Sequence, residues 1–137
     1  GPDDVILDVG CGTGSLTWRM CGGVKRVIGI DICRGMVERC GSRGPDLLVC
    51  DAESLPFRPC MFDKVVSLTV LQNLEDPSKG LSEMARVCRG FVALTILRNY
   101  LPLEDIERLV GQYLSPFSVF EIEKDFLCIG GVRPHGA

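Results

Sequence analysis

Apolar residues along this chain fall into two kinds of pattern that take turns. Short continuous runs, Val5 to Val9 (VILDV), Arg26 to Asp31 (RVIGID), Asp46 to Asp51 (DLLVCD), Lys64 to Thr69 (KVVSLT) and Phe91 to Leu97 (FVALTIL), carry no polar alternation and read as strands buried on both faces. Between them the spacing changes to helical. A turn over Gly10 to Gly14 opens a helix near Ser15, and a second helix through Met36, Val37 and Cys40 stops near Gly41. A third follows Asp76, which can cap it, and Pro77, which suits a first turn. Leu81, Met84, Ala85 and Cys88 repeat there at i, i+3, i+4 and i+7, and Gly90 is expected to end the helix. Pro102 to Tyr113 carries a similar stripe through Leu103, Ile106, Leu109 and Val110, with Gly111 weakening its last turn. The tail holds two β-like runs, Phe117 to Glu123 and Asp125 to Val132, close enough to form a hairpin. Strands and helices in alternation imply an α/β fold, a parallel sheet covered by helices.

The totals narrow the picture. At 137 residues with 46% hydrophobic content, residues 1–137 are expected to form a single domain with a sizeable core. No apolar run approaches the roughly 18 residues of a membrane span, so no membrane role is expected and the default compartment is cytoplasmic. A net charge of -3 gives no support to a nucleic-acid partner, whose affinity comes from an excess of Lys and Arg, and favours small ligands and proteins. Eight cysteines invite a metal or disulfide reading, but no C-x-x-C pair occurs and the single histidine, His135, lies near the far end. No metal is therefore expected, and most cysteines read as small core hydrophobes. Cys33 and Cys40, on one helical face, could bridge only in the setting of a hyperthermophile.

The chemistry concentrates at Val5 to Ser15, VILDVGCGTGS. Gly10, Gly12 and Gly14 occupy alternate positions straight after a buried strand, a costly arrangement unless the chain needs positive φ or a ligand must lie against bare backbone. A dinucleotide fingerprint, G-x-G-x-x-G, fails because the sixth position from Gly10 is Ser15, and no G-K-[ST] follows to make a P-loop. Three carboxylates, Asp8, Asp31 and Asp51, come at or after the first three strand runs, which places them along one edge of a parallel sheet, where open α/β sheets bind ligands.

The segment Asp8-Val9-Gly10-Cys11-Gly12-Thr13-Gly14 resembles the first motif of the class I S-adenosylmethionine-dependent methyltransferases. FDKVVSLTVLQNLEDPSKGLSEMARVCRG is similar to the fourth-to-fifth-strand segment of the subfamily that includes ubiquinone and menaquinone biosynthesis enzymes, and the likeness runs from Val5 to Leu97. It implies a Rossmann-like, mostly parallel seven-stranded sheet with helices on both faces and a C-terminal antiparallel hairpin. It also implies S-adenosyl-L-methionine as cofactor. Asp8 would lie near the methionine amine, with Gly10, Cys11, Gly12 and Gly14 as the cradle; Asp31, beside Ile32, would take the ribose hydroxyls. Asp51 would read the adenine amino group, the Ala52 amide a ring nitrogen, and Met36 would line the adenine pocket.

In that subfamily a histidine commonly stands where this chain has Gln72 or Asn73, so these two are the nearest catalytic candidates, with Ser67 and Leu68 beside the transferred methyl. Methyl transfer from a sulfonium is an in-line displacement that positioning alone can accelerate, and a general base is optional. The stretch Ser67-Leu68-Thr69-Val70 lacks the [ND]-P-P-[YF] signature of amide and amino-group enzymes, which leaves the acceptor open: a small molecule, or a translation-related RNA or protein handled with a partner. Relatives usually carry a helix or lid ahead of the first strand, so the resemblance implies an open pocket completed by a second subunit, either a further copy or a small activator. The rival reading is a catalytically inactive, methyltransferase-like scaffold subunit.

Overall fold

The computed structural model describes residues 1–10, 23–31 and 46–132. They build one seven-stranded sheet of order β3-β2-β1-β4-β5-β7-β6. β1 is Val5–Val9, β2 Arg26–Asp31, β3 Asp46–Val49, β4 Phe62–Leu68, β5 Cys88–Leu97, β6 Leu114–Ile122 and β7 Asp125–Val132. The first five are parallel; β7 runs antiparallel to β5 and pairs with β6 as the hairpin expected from the tail. Two helices follow among the described residues, α1 (Pro77–Val87) and α2 (Leu103–Gly111), and a 3-10 turn spans Leu71–Asn73. The helices expected near Ser15 and around Met36, the Cys33–Cys40 pair and His135 lie outside the described residues.

The core sits on the face that α1 and α2 cover. Register aligns Ile30, Val9, Ser67, Leu94 and Cys128 in one row across five strands, with Ile28, Leu7, Val65 and Val92 in the row behind. Leu81 and Met84 of α1 and Ile106 and Val110 of α2 close over these rows with no solvent exposure. Burying each such side chain contributes about 1.5–3 kcal/mol. Cys88 and Cys128 are part of this core; burial pushes each thiol up to about 11, so they behave as apolar packing groups, as expected.

Three expectations need correction. Strands buried on both faces describe β1 and β2, but β3 is a short edge strand with Leu48 and Val49 exposed, and β4 alternates buried and accessible positions. Beyond β1, the sheet face opposite the helices leaves Leu68, Phe91, Phe120 and Ile122 largely exposed, so apolar content there is not core. Gly90 does not end α1. The helix stops at Val87 and passes straight into β5, where Gly90 lies so close to β4 that an added Cβ would meet the Asp63 carbonyl oxygen at 2.1 Å. The third concerns the tail: β6 begins at Leu114, three residues before the expected Phe117.

α1 also fixes the chain that leads from β3 to β4. Asp76 caps the helix by accepting from the Lys79 amide at 3.1 Å. One turn from the other end, Glu83 and Arg86 pair at 2.6 Å and reach outward together. Glu83 Oε1 accepts from the Leu55 amide (2.9 Å), while Arg86 donates to the Leu55 and Phe57 carbonyls (2.9 and 2.8 Å). Three backbone groups of a loop are thus satisfied by one ion pair.

The bond from Arg86, then the Leu55 amide and nearby cationic charge, hold the Glu83 carboxyl below its ordinary value against the opposing effect of burial. Because the folded value is depressed, this stabilisation is fully present above the ordinary glutamate range near pH 4.5 and is lost as pH falls through the lower folded value. Glu83→Ala should lower unfolding free energy by about 1–3 kcal/mol at pH 7, since it leaves Arg86 and the Leu55 amide without their partner. In urea titrations the gap between variant and parent should narrow as pH drops below 4; an equal gap at pH 3 and pH 7 would contradict the assignment.

Candidate functional site

The carboxyl ends of β1, β2 and β4, with the segment after β3, enclose a cavity of about 310 Å3, at the lower end of the range for small-molecule sites. Its floor begins where β1 stops. Gly10 turns the chain with φ +75° and donates its amide to the Ile30 carbonyl of β2 at 2.8 Å. Val70 presses on it from the far side, so an added Cβ would lie 2.2 Å from Val70 Cγ2. Glycine is required here for both reasons.

On the β2 side, Ile30 gives an apolar surface and Asp31 a half-buried carboxylate at the rim. Cys50, whose amide donates to the Asp31 carbonyl at 3.1 Å, and buried Ala52 continue that wall. Burial first, and the adjacent Asp51 charge second, push the Cys50 thiol upward, so it stays protonated and is no nucleophile. Leu68, Thr69, Val70 and Asn73 form the opposite wall.

Of the residues expected from the sequence, the cavity brings together Gly10, Asp31, Ala52, Leu68 and Asn73. Asp8 is 2% exposed within β1, behind the turn rather than on the lining. Asp51 is exposed, and its Oδ1 accepts from the Glu53 amide at 2.9 Å, closing its own turn. Its neighbours Cys50 and Ala52 face the cavity instead. Ser67 points into the helix-covered core at 1% exposure, its hydroxyl without a partner among the described residues. Cys11, Gly12, Gly14, Ile32 and Met36 lie outside the described residues.

Gln72 and Asn73, the nearest catalytic candidates, each give one amide donor to the main chain. Gln72 Nε2 and Asn73 Nδ2 both donate to the Thr69 carbonyl, at 2.8 and 3.3 Å. An amide has no proton-accepting role near neutral pH, so the pair can orient but not deprotonate. Sequence reasoning missed Ile30, Cys50, Thr69 and Val70. For Thr69 no local signal existed, because it adopts φ +52°, which a β-branched residue normally avoids. No cluster of three His, Cys, Asp or Glu side chains suited to a metal occurs among the described residues.

Gly10→Ala should destabilise the protein by about 1–3 kcal/mol, combining backbone strain with the Val70 clash. Val70→Ala should restore part of that loss by removing the contact while the φ penalty stays. Full restoration, or none, in denaturant unfolding would show that one of the two causes is absent.

The family described as Methyltransferase domain matches residues 7–93. A demethylmenaquinone methyltransferase of Beutenbergia cavernae is 34% identical over 119 residues, covering 85% of this chain and 50% of that protein. The Bos taurus protein named "Probable tRNA methyltransferase 9B" is 36% identical over 89 residues, covering 63% of this chain and 19% of its own length. This chain therefore spans from a fifth to a half of these relatives. In fold it is similar to a solved chain from the complex between the Haloferax volcanii Trm112 methyltransferase activator and a methyltransferase, with TM-score 0.79, 18% identity, and coverage of 98% and 84% of the two chains. Sheet order, the Gly10 turn and a match over residues 7–93 agree, and the chain belongs to the methyltransferase-domain family, in the class I S-adenosylmethionine-dependent group.

Proposed function

We propose that this chain binds S-adenosyl-L-methionine in the cavity above β1, β2 and β4 and transfers its methyl group to an acceptor. The observation that carries the reading is a rim carboxylate, Asp31, set beside bare backbone at Gly10 and apolar walls from Ile30, Ala52 and Leu68. Those groups fit the cofactor's chemistry. Asp31 would accept from the ribose hydroxyls, the Ala52 amide would meet the adenine ring, and the glycine turn would let the amino-acid end approach the main chain. Asp8, Gly12 and Gly14 complete the proposed cradle. The cofactor supplies an electrophilic methyl on a cationic sulfonium.

The protein's share is to hold donor and acceptor in line and keep water out. Cavity-lining Asn73 and the neighbouring Gln72 are neutral amides tied to Thr69, and the Cys50 thiol stays protonated, which favours catalysis by positioning over general-base catalysis.

The acceptor is not fixed by kinship, since the relatives include proteins named for tRNA and for demethylmenaquinone. A second subunit, a further copy or a small activator like that of the Haloferax volcanii complex, would cover the exposed Leu68, Phe91, Phe120 and Ile122. Among the described residues no helix is long and apolar enough to cross a membrane.

Calorimetric titration should detect binding of both S-adenosylmethionine and S-adenosylhomocysteine, and NADH should give no signal. Asp31→Ala should weaken both by about 10- to 100-fold, the worth of hydrogen bonds to a charged acceptor. Absence of binding by the parent protein, or unchanged affinity in Asp31→Ala, would overturn the reading.

A further inference from the structure

Thr69 stands one residue beyond β4, on the cavity wall, in a conformation that its own side chain opposes. A threonine at φ +52° persists only where its surroundings over-determine it. They do so from both ends of the residue. Its amide donates to both the carbonyl oxygen and Oγ1 of Thr95 on β5, at 3.0 and 2.9 Å. Its carbonyl accepts from the Gln72 and Asn73 side chains. The single hydroxyl that enters this set, Thr95 Oγ1, belongs to a residue only 8% exposed.

What this arrangement holds in place is the wall itself. Leu68, Thr69 and Val70 are consecutive cavity residues, and Val70 reaches across to lie against Gly10. Relaxing Thr69 to an ordinary extended or helical conformation would redirect the chain at Val70 and move that contact off the β1 turn. The cavity would lose its shape before any ligand met it.

We infer that Thr69 is a positioning residue, held left-handed by Thr95, Gln72 and Asn73 so that the cofactor meets a preformed β4 wall. This rests on the cofactor reading above and extends it to Thr95 and Gln72, which lie outside the cavity lining. If only a fraction of molecules keep the wall formed, apparent affinity falls by that fraction. Glycine adopts positive φ without strain, so a glycine substitution at this position should make the latch dispensable.

The test is a double-mutant cycle on affinity for S-adenosylhomocysteine, measured by calorimetry, with thermal unfolding to verify that each variant is folded. Thr95→Val, which keeps shape but removes the hydroxyl acceptor, should weaken binding by about tenfold, as expected if roughly a tenth of molecules keep the wall formed. Thr95→Ser should stay near the parent value. In the Thr69→Gly background the Thr95→Val loss should shrink to within about threefold, because the conformation no longer needs holding. If Thr95→Val does not fold, Gln72→Ala, which removes a donor to the Thr69 carbonyl from outside the cavity lining, reads that side of the latch in the same two backgrounds, with the same suppression expected. Unchanged affinity in Thr95→Val, or an equal loss with and without Thr69→Gly, would overturn the inference while leaving the cofactor site intact. A parent protein that binds no S-adenosylhomocysteine would instead remove the cofactor reading, and this inference with it.

Discussion

At the end of β1 the main chain must turn while two neighbours crowd it, and the rest of the site depends on that contact. Gly10 is bonded to Ile30 on one side and touched by Val70 on the other, so three strands converge on a residue with no side chain to separate them. Any larger residue would push the β4 exit away from β1 and widen the gap in which the nucleoside is proposed to lie. The glycine therefore sets the cavity's width as well as its floor.

Around that contact the two walls are stiffened by different means. On the β3 side the loop carrying Ala52 is tied down by the Glu83–Arg86 pair of α1, an ion pair whose worth lies in the backbone groups it satisfies more than in its own Coulomb energy. On the β4 side no charge is involved. Neutral amides and one buried hydroxyl hold Thr69 against its conformational preference. A neutral wall suits a site proposed to receive a sulfonium, since a fixed cation there would repel it and a bare anion would bind donor and product unequally.

The same neutrality bears on chemistry. The Gln72 and Asn73 amides are engaged in holding the main chain, and the cavity's cysteine is kept protonated by burial. On the proposed reading acceleration comes from alignment, which places the demand on the rigidity of the walls.

The sequence by itself determined the strand order of events: five apolar runs, a capped helix at Asp76, a closing hairpin, and a glycine turn with acids at strand ends. These are local signals, because periodicity, caps and φ requirements are written in neighbouring residues. Tertiary structure alone decided the rest. Gly90 looked like a helix stop, yet it is a strand residue made necessary by the Asp63 carbonyl of another strand. Asp51 was marked by its spacing after the third strand, and only the fold shows that one of its carboxylate oxygens also closes the local turn. Thr69, Val70 and Cys50 carried no local mark at all. Their place in the cavity comes from contacts with Thr95, Gly10 and Asp31, which lie 19 to 60 residues away along the chain, and no window of sequence can show which partners will meet there.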